Sequence, residues 1–256
     1  MREIPWPILA PGSWRTVMML RISTLDQFNS PRTYLLVAYI VILIIGFIAF
    51  MVKAHKAEAK ATKRIFEGFG LFGLTYAITR LIFLFSDYEN ATHQGTNTYL
   101  LFDWVTAAYT VTFAALILIY HTVERLMLNR KPVFTVIAII SFVICMVALV
   151  LTVLTIGVNL DTGTGPQTIS QYTLYVTGPI LIIGIAALYI MIARNASGNV
   201  RKKAIGALVG LLVLSAGLLF DMDGLWKFFT SFDDIRLLLS PTCFIAGTIT
   251  FFLAQK

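Results

Sequence analysis

The sequence predicts an all-α membrane protein: a seven-transmembrane-helix bundle with its N-terminus outside and its C-terminus inside. Three observations predict it. The 256 residues are 58% apolar and 13% charged, with mean hydropathy +0.81, whereas a soluble domain is about half apolar and about a quarter charged. Apolar runs of roughly 20 residues recur along the chain, each long enough to cross a bilayer core about 30 Å thick. Lys and Arg collect in alternate connecting segments, the pattern of cytoplasmic loops.

Residues 1–32 come first. Pro5, Pro7 and Pro11 break any signal-peptide core, and Arg15 and Arg21 interrupt the apolar residues that follow. Residues 13–25 read as a short amphipathic segment at the membrane interface, anchored by Trp14. The remainder, 33–256, is expected to be one bundle with no soluble catalytic or DNA-binding domain. Its seven spans are placed at 33–53, 65–86, 98–122, 132–157, 171–193, 202–222 and 235–254. Cys145 and Cys243 both fall inside spans and read as small buried hydrophobes.

The net charge of +7 does not imply nucleic-acid binding, because the cations lie in short loops between apolar runs. About 13 of the 20 Lys and Arg belong to segments 53–64, 123–131, 194–203 and the C-terminus. The opposite loops 87–97 and 158–170 have none. That places the N-terminus outside, and the Asn90-Ala-Thr92 sequon with it. The expected location is the cell membrane, as a multi-pass protein among membrane lipids.

Span two carries GLTYAITRLIFLF, in which Arg80 is the single charge. It lies about six residues short of the outer end, roughly 9 Å deep at 1.5 Å per residue. Asp103 lies about five residues into span three, roughly 8 Å deep. Consecutive spans joined by a short loop are neighbours, so an Arg80–Asp103 ion pair facing the bundle interior is expected. Asp221 and Asp223 are further candidate partners, and Tyr76, Trp104 and Tyr109 wall the same region. Two readings follow. The pair staples spans two and three, or it lines an outward-facing cavity that takes a ligand, since intramembrane charges mark functional sites by default.

Gly68-Phe-Gly70-Leu-Phe-Gly73 matches the dinucleotide fingerprint, but it opens a membrane helix rather than following a strand, so it reads as helix packing through Gly70, Gly73 and Ala77. Gly206 and Gly210 form a G-x-x-x-G with Gly217 further along the same side, which marks packing within the bundle or a homodimer face. Lys53, Lys56, Lys60 and Lys63 are spaced three or four apart and would form one basic stripe on a continuous helix. That stripe suits anionic headgroups or a cytoplasmic or membrane protein partner. Glu67 and Glu124 are expected to face headgroups or nearby cations. Pro179 and Pro241 should kink spans five and seven, with Ser240 and Thr242 stabilising the second kink.

No catalytic pattern emerges. His55, His93 and His121 are too scattered to share a metal, and no H-E-x-x-H or G-x-S-x-G occurs, so no enzyme activity and no cofactor are expected.

Seven spans with short loops resemble the architecture of microbial rhodopsins and G-protein-coupled receptors. A retinal Schiff base needs a lysine in mid-span seven, and IRLLLSPTCFIAGTITFFLAQK has only Lys256 at its end, so retinal binding is rejected. Glu124-Arg125 is similar to the receptors' acidic–Arg pair, with Leu126 where they carry tyrosine and no N-P-x-x-Y in span seven. The expected function is a receptor-like sensor or signal-transducing protein with an outward-facing polar site, acting through a partner. The alternatives are a small-solute or ion transporter or channel, and a non-catalytic accessory subunit of a larger membrane complex.

Overall fold

A computed structural model describes residues 30–93, 104–155, 166–221 and 233–255. Among these residues there is no strand. The described residues form seven α-helices: α1 (Pro31–Lys56), α2 (Lys60–His93), α3 (Trp104–His121), α4 (Val133–Thr155), α5 (Pro166–Asn195), α6 (Gly198–Asp221) and α7 (Asp233–Ala254). A π-helical turn, Thr122–Met127, continues α3. The 1–32 tail, its amphipathic segment and Trp14 lie outside the described residues, except for the last three positions.

Each helix packs on the next, and α7 returns to α1, closing a ring across which α3 also touches α5. The end carrying Pro31, Trp104 and Pro166 is called proximal below, and the end carrying Lys56, His121 and Asn195 distal. Five helices (α1 to α5) are long and apolar enough to cross a membrane, and α7 supplies a shorter apolar segment, Leu238–Ala254. Helix α6 opens on Arg201, Lys202 and Lys203. The outer surface matches lipid rather than water. Val136, Ile140, Val143, Val147, Val150 and Leu154 of α4 are all exposed, a continuous apolar face of a kind that soluble monomers rarely show.

The interior is aromatic along the α1–α2–α7 seam. Phe50 meets Phe252 edge-on with centroids 5.3 Å apart, Phe69 meets Phe251 at 5.5 Å, Phe72 stacks on Tyr76 at 5.8 Å, and Tyr39 stacks on Phe244 at 5.3 Å. Glycines let this seam close. The ring of Phe252 fills the place where a Gly46 side chain would stand, and Gly70 and Gly73 lie against Phe47, Phe50 and the Leu43 carbonyl of α1. The glycine fingerprint therefore serves helix packing, Gly70 and Gly73 against α1 and Gly68 against Thr122 of the π turn.

The G-x-x-x-G face is used inside the chain. Gly210 and Gly247 bring the backbones of α6 and α7 into contact, Gly206 faces Ala254, and Gly217 faces Phe244. The face offered above to a second copy is covered by α7.

Two distal expectations are corrected. The basic stripe is interrupted, because α1 ends at Lys56 and α2 begins at Lys60. Ala57 is extended at φ −78°, ψ 121°, which breaks the helical register. Lys53 also turns inward. Its ammonium lies 5.6 Å from the Phe50 centroid and 5.5 Å from that of Phe66, and it reaches the Gln255 carbonyl at 3.5 Å. Lys56, Lys60 and Lys63 remain exposed.

Glu124 does not face headgroups: it is buried in the π turn. One carboxylate oxygen accepts the Phe134 amide at 2.9 Å, and the other accepts the Thr135 amide at 2.9 Å and its hydroxyl at 2.7 Å. It caps α4 from ten residues upstream, satisfying N–H groups that a helix start leaves without intrahelical partners. Only Glu67 behaves as expected, 4.0 Å from Lys63 one turn away.

Helix α5 is fixed to α3 by the Tyr120 hydroxyl, which donates to the Leu181 carbonyl. Two residues earlier Pro179 supplies no N–H to the helix, which favours a bend there. Removing the Tyr120 hydroxyl with Tyr120→Phe is expected to destabilise the bundle by about 1 kcal/mol, read as a lowered melting temperature. No change would mean that the contact contributes nothing net.

Candidate functional site

Arg80 stands in the middle of the described α2 and is 5% exposed. Three aromatic rings surround its guanidinium. The carbon at its centre lies 4.0 Å from the Phe244 centroid, 5.3 Å from that of Tyr76 and 5.7 Å from that of Phe83. Nη2 donates to the Tyr76 hydroxyl at 2.9 Å, one turn away on the same helix. A desolvated guanidinium on an aromatic face gains about 2 kcal/mol, which offsets part of the cost of taking the charge out of water. Phe244 is itself held from behind by Tyr39, whose hydroxyl is 3.2 Å from Thr248 Oγ1. Arg80 thus closes the proximal end of the aromatic seam, as Lys53 closes the distal end.

Sequence reasoning named Tyr76 and missed Phe83 and Phe244. Phe83 is at i+3 on the same helix and could have been found from spacing. Phe244 comes from α7, and nothing in the sequence pairs it with Arg80.

One side of Arg80 faces a cavity of about 360 Å³ enclosed by α1, α2, α3, α5 and α6, within the usual range of small-molecule pockets. At its proximal rim stand Arg32 and Asp87. It passes Arg80, Tyr76 and Tyr109 and ends at Ile119, Tyr120 and Ile185. On α2 it runs from Asp87 to Phe72, a rise of roughly 22 Å at 1.5 Å per residue.

The sequence-predicted residues divide as follows. Tyr76, Arg80 and Tyr109 share the cavity wall. Tyr109 is held edge-on against Phe83 at 5.5 Å. Trp104 packs on Phe85 at 5.2 Å and is not among the residues lining the cavity. Asp103 and Asp223 lie outside the described residues. Asp221 ends α6, with its side chain undescribed. The Arg80–Asp103 pair therefore stands as a sequence expectation.

The cavity lining also includes residues that were not anticipated. Gln171, Leu174, Tyr175 and Gly178 come from α5, and Leu211, Leu214 and Ser215 from α6. Gly178 has room for a side chain: a Cβ there would meet only Leu174 of its own helix, at an ordinary contact distance of 3.7 Å. At Gly178 the missing side chain leaves room in the cavity wall, and the next residue, Pro179, gives α5 no N–H to bond.

At the second proline, Thr242 donates to the Leu238 carbonyl at 2.7 Å. The buried Ser240 hydroxyl has no hydrogen-bond partner among the described residues. Of the two hydroxyls beside Pro241, Thr242 is the one bonded to its own helix backbone.

No family model, curated protein or solved structure matches this chain.

Proposed function

We propose that the chain is a receptor-like sensor of the cell membrane. All seven helices span the bilayer, with the proximal end outside. A ligand enters past Arg32 and Asp87 and is held against Arg80, Tyr76 and Tyr109. The observation that carries this reading is the cavity itself, which opens beside a caged guanidinium and descends among five helices.

The signal has a physical route. The cavity floor is Tyr120, hydrogen-bonded to α5 just past the proline. The π turn begins two residues later and carries Glu124, which holds the start of α4. A ligand that moves α5 against α3 shifts this turn and the distal cations around it. Arg125, Arg130 and Lys131 are exposed there and offer a surface to an acidic partner or to headgroups. Transport would need a passage through Tyr120, Val123 and Glu124, all of them buried, so the sensor reading is preferred to a transporter. The accessory-subunit reading loses its main support, the free glycine face.

The test is thermal stability of the purified protein against a metabolite and lipid library, for wild type, Arg80→Ala and Tyr76→Phe. A ligand of the native state raises the melting temperature by mass action. A compound at 100 times its Kd is expected to stabilise wild type by about 2.7 kcal/mol and to lose most of that on Arg80→Ala. If every stabilising compound acts equally on wild type and on both variants, Arg80 and Tyr76 are structural and the proposal fails.

A further inference from the structure

We infer that the cavity is shaped for a single-chain acyl amphiphile whose head group accepts hydrogen bonds, a fatty carboxylate or an acyl ester, with the head at Arg80 and the tail descending between α3, α5 and α6. The inference deepens the sensor reading and rests on the cavity being a ligand site.

The polarity of the walls changes along the cavity. Its distal part is lined by Leu116, Ile119, Leu181, Ile185, Leu211 and Leu214. The three hydroxyls in that part are already committed to backbone carbonyls: Thr112 donates to Ala108 at 2.8 Å, Ser215 to Leu211 at 2.8 Å, and Tyr120 to Leu181. A polar ligand group placed there would stay unpaired, and burying an unpaired polar group is unfavourable. An alkyl chain has nothing to lose there and buries apolar area.

The proximal part is rich in donors. Arg80 gives one N–H to Tyr76, and the Tyr76 hydroxyl, having accepted it, retains its own proton to donate. Gln171 adds a half-buried amide, and Arg32 stands at the rim. Asp87 is the one carboxylate among the described lining residues, and it is exposed at the mouth. Among the described residues this set fits a head group that accepts hydrogen bonds, and the Arg80 charge disfavours an ammonium. The dimensions agree with a chain. A volume of about 360 Å³ drawn out over roughly 22 Å of helix is a slot and not a sphere.

The protein in phospholipid nanodiscs is labelled with palmitate carrying a mid-chain diazirine, and cross-linked peptides are quantified by mass spectrometry. Unlabelled palmitate, methyl palmitate, palmitylamine and octanoate compete, and melting temperatures are recorded alongside. Gly178→Leu projects a side chain into the slot where the structure has room for it, so folding is expected to survive. Leu212→Trp, on the exposed face of α6, is the control for labelling from the lipid side.

Label is expected on α3, α5 and α6 peptides. Palmitate or its ester should compete, the stronger of the two identifying a free acid or an esterified lipid as the source. Octanoate should be at least tenfold weaker and palmitylamine inactive. Labelling should fall at least tenfold in Gly178→Leu, severalfold in Tyr76→Phe, and stay unchanged in Leu212→Trp. Equal competition by palmitylamine, or wild-type labelling of Gly178→Leu, overturns the assignment. If a small polar compound from the library protects wild type while palmitate does not, the sensor site stands and the acyl ligand falls. If neither binds, both fall.

Discussion

Glu124→Ala is expected to lower stability by about 3–5 kcal/mol, enough to unfold the distal end of the bundle in mild detergent. The side chain is 2% exposed and accepts three hydrogen bonds from Phe134 and Thr135. Truncation leaves two amide N–H groups and a hydroxyl buried without their acceptor, and it removes a negative charge from a helix N-terminus, where negative charge is stabilising. Glu124→Gln retains one acceptor oxygen, but it turns an NH₂ group toward donors, so it is expected to recover less than half of the loss. Glu124→Asp is one methylene too short to reach both amides. The measurement is the thermal melting temperature in a fixed detergent or nanodisc, with Glu67→Ala as the comparison. Among the described residues Glu67 pairs with Lys63 at the surface, and such pairs contribute about 0–1 kcal/mol. If Glu124→Ala and Glu67→Ala melt together, the cap does not hold α4.

The second large effect is expected at the α6–α7 crossing. A Cβ on Gly210 would stand 2.5 Å from the Phe251 nitrogen, and a Cβ on Gly247 would stand 2.5 Å from the Leu214 nitrogen. These neighbours are backbone, which cannot rotate aside, so even alanine must push two helices apart. Gly210→Ala and Gly247→Ala are each expected to cost about 1–3 kcal/mol from overpacking, and leucine at either position more. Separation of α7 should also be felt at Phe244, which faces Gly217 and carries Arg80 on its ring, so ligand stabilisation should fall together with the melting temperature. Gly178→Ala is the internal contrast. Its Cβ meets only Leu174, at 3.7 Å, and replacing glycine in a helix gains about 0.8–1.0 kcal/mol in propensity, so it should be neutral or stabilising. Equal melting of all three alanine variants would show that the close approach is not what holds α6 to α7.

The helices themselves were legible in the sequence because apolar length is a local property. The seven runs correspond to seven helices, most of them extending a few residues beyond the apolar stretch, as in Pro31–Lys56 against 33–53. Prolines announced their own positions, and the glycine runs announced close approach. What the glycines approach was not legible. The sequence left a homodimer face open, and the fold covers it with α7. The basic stripe depended on an unbroken helix, and three residues around Ala57 break it. Glu124 was misplaced for a related reason. Its partners are ten and eleven residues away, across a π turn and a loop whose Asn129 takes φ 50°, a geometry that no spacing rule encodes.

Arg80 marks the boundary between the two kinds of knowledge. A guanidinium amid apolar residues is visible in one line of sequence, and its depth follows from the helical rise. Its surroundings are a meeting of α1, α2 and α7, and the cavity beside it is a gap among five helices. Both are decided by how side-chain volumes fill the space between helices, and that sum over distant segments exists only once the chain is folded. The sequence by itself determined the helices, the charge at the site and the apolar exterior. The tertiary structure decided that this charge lies on Phe244, that the glycines join α6 to α7, and that a slot leads from Arg80 toward the other end of the bundle.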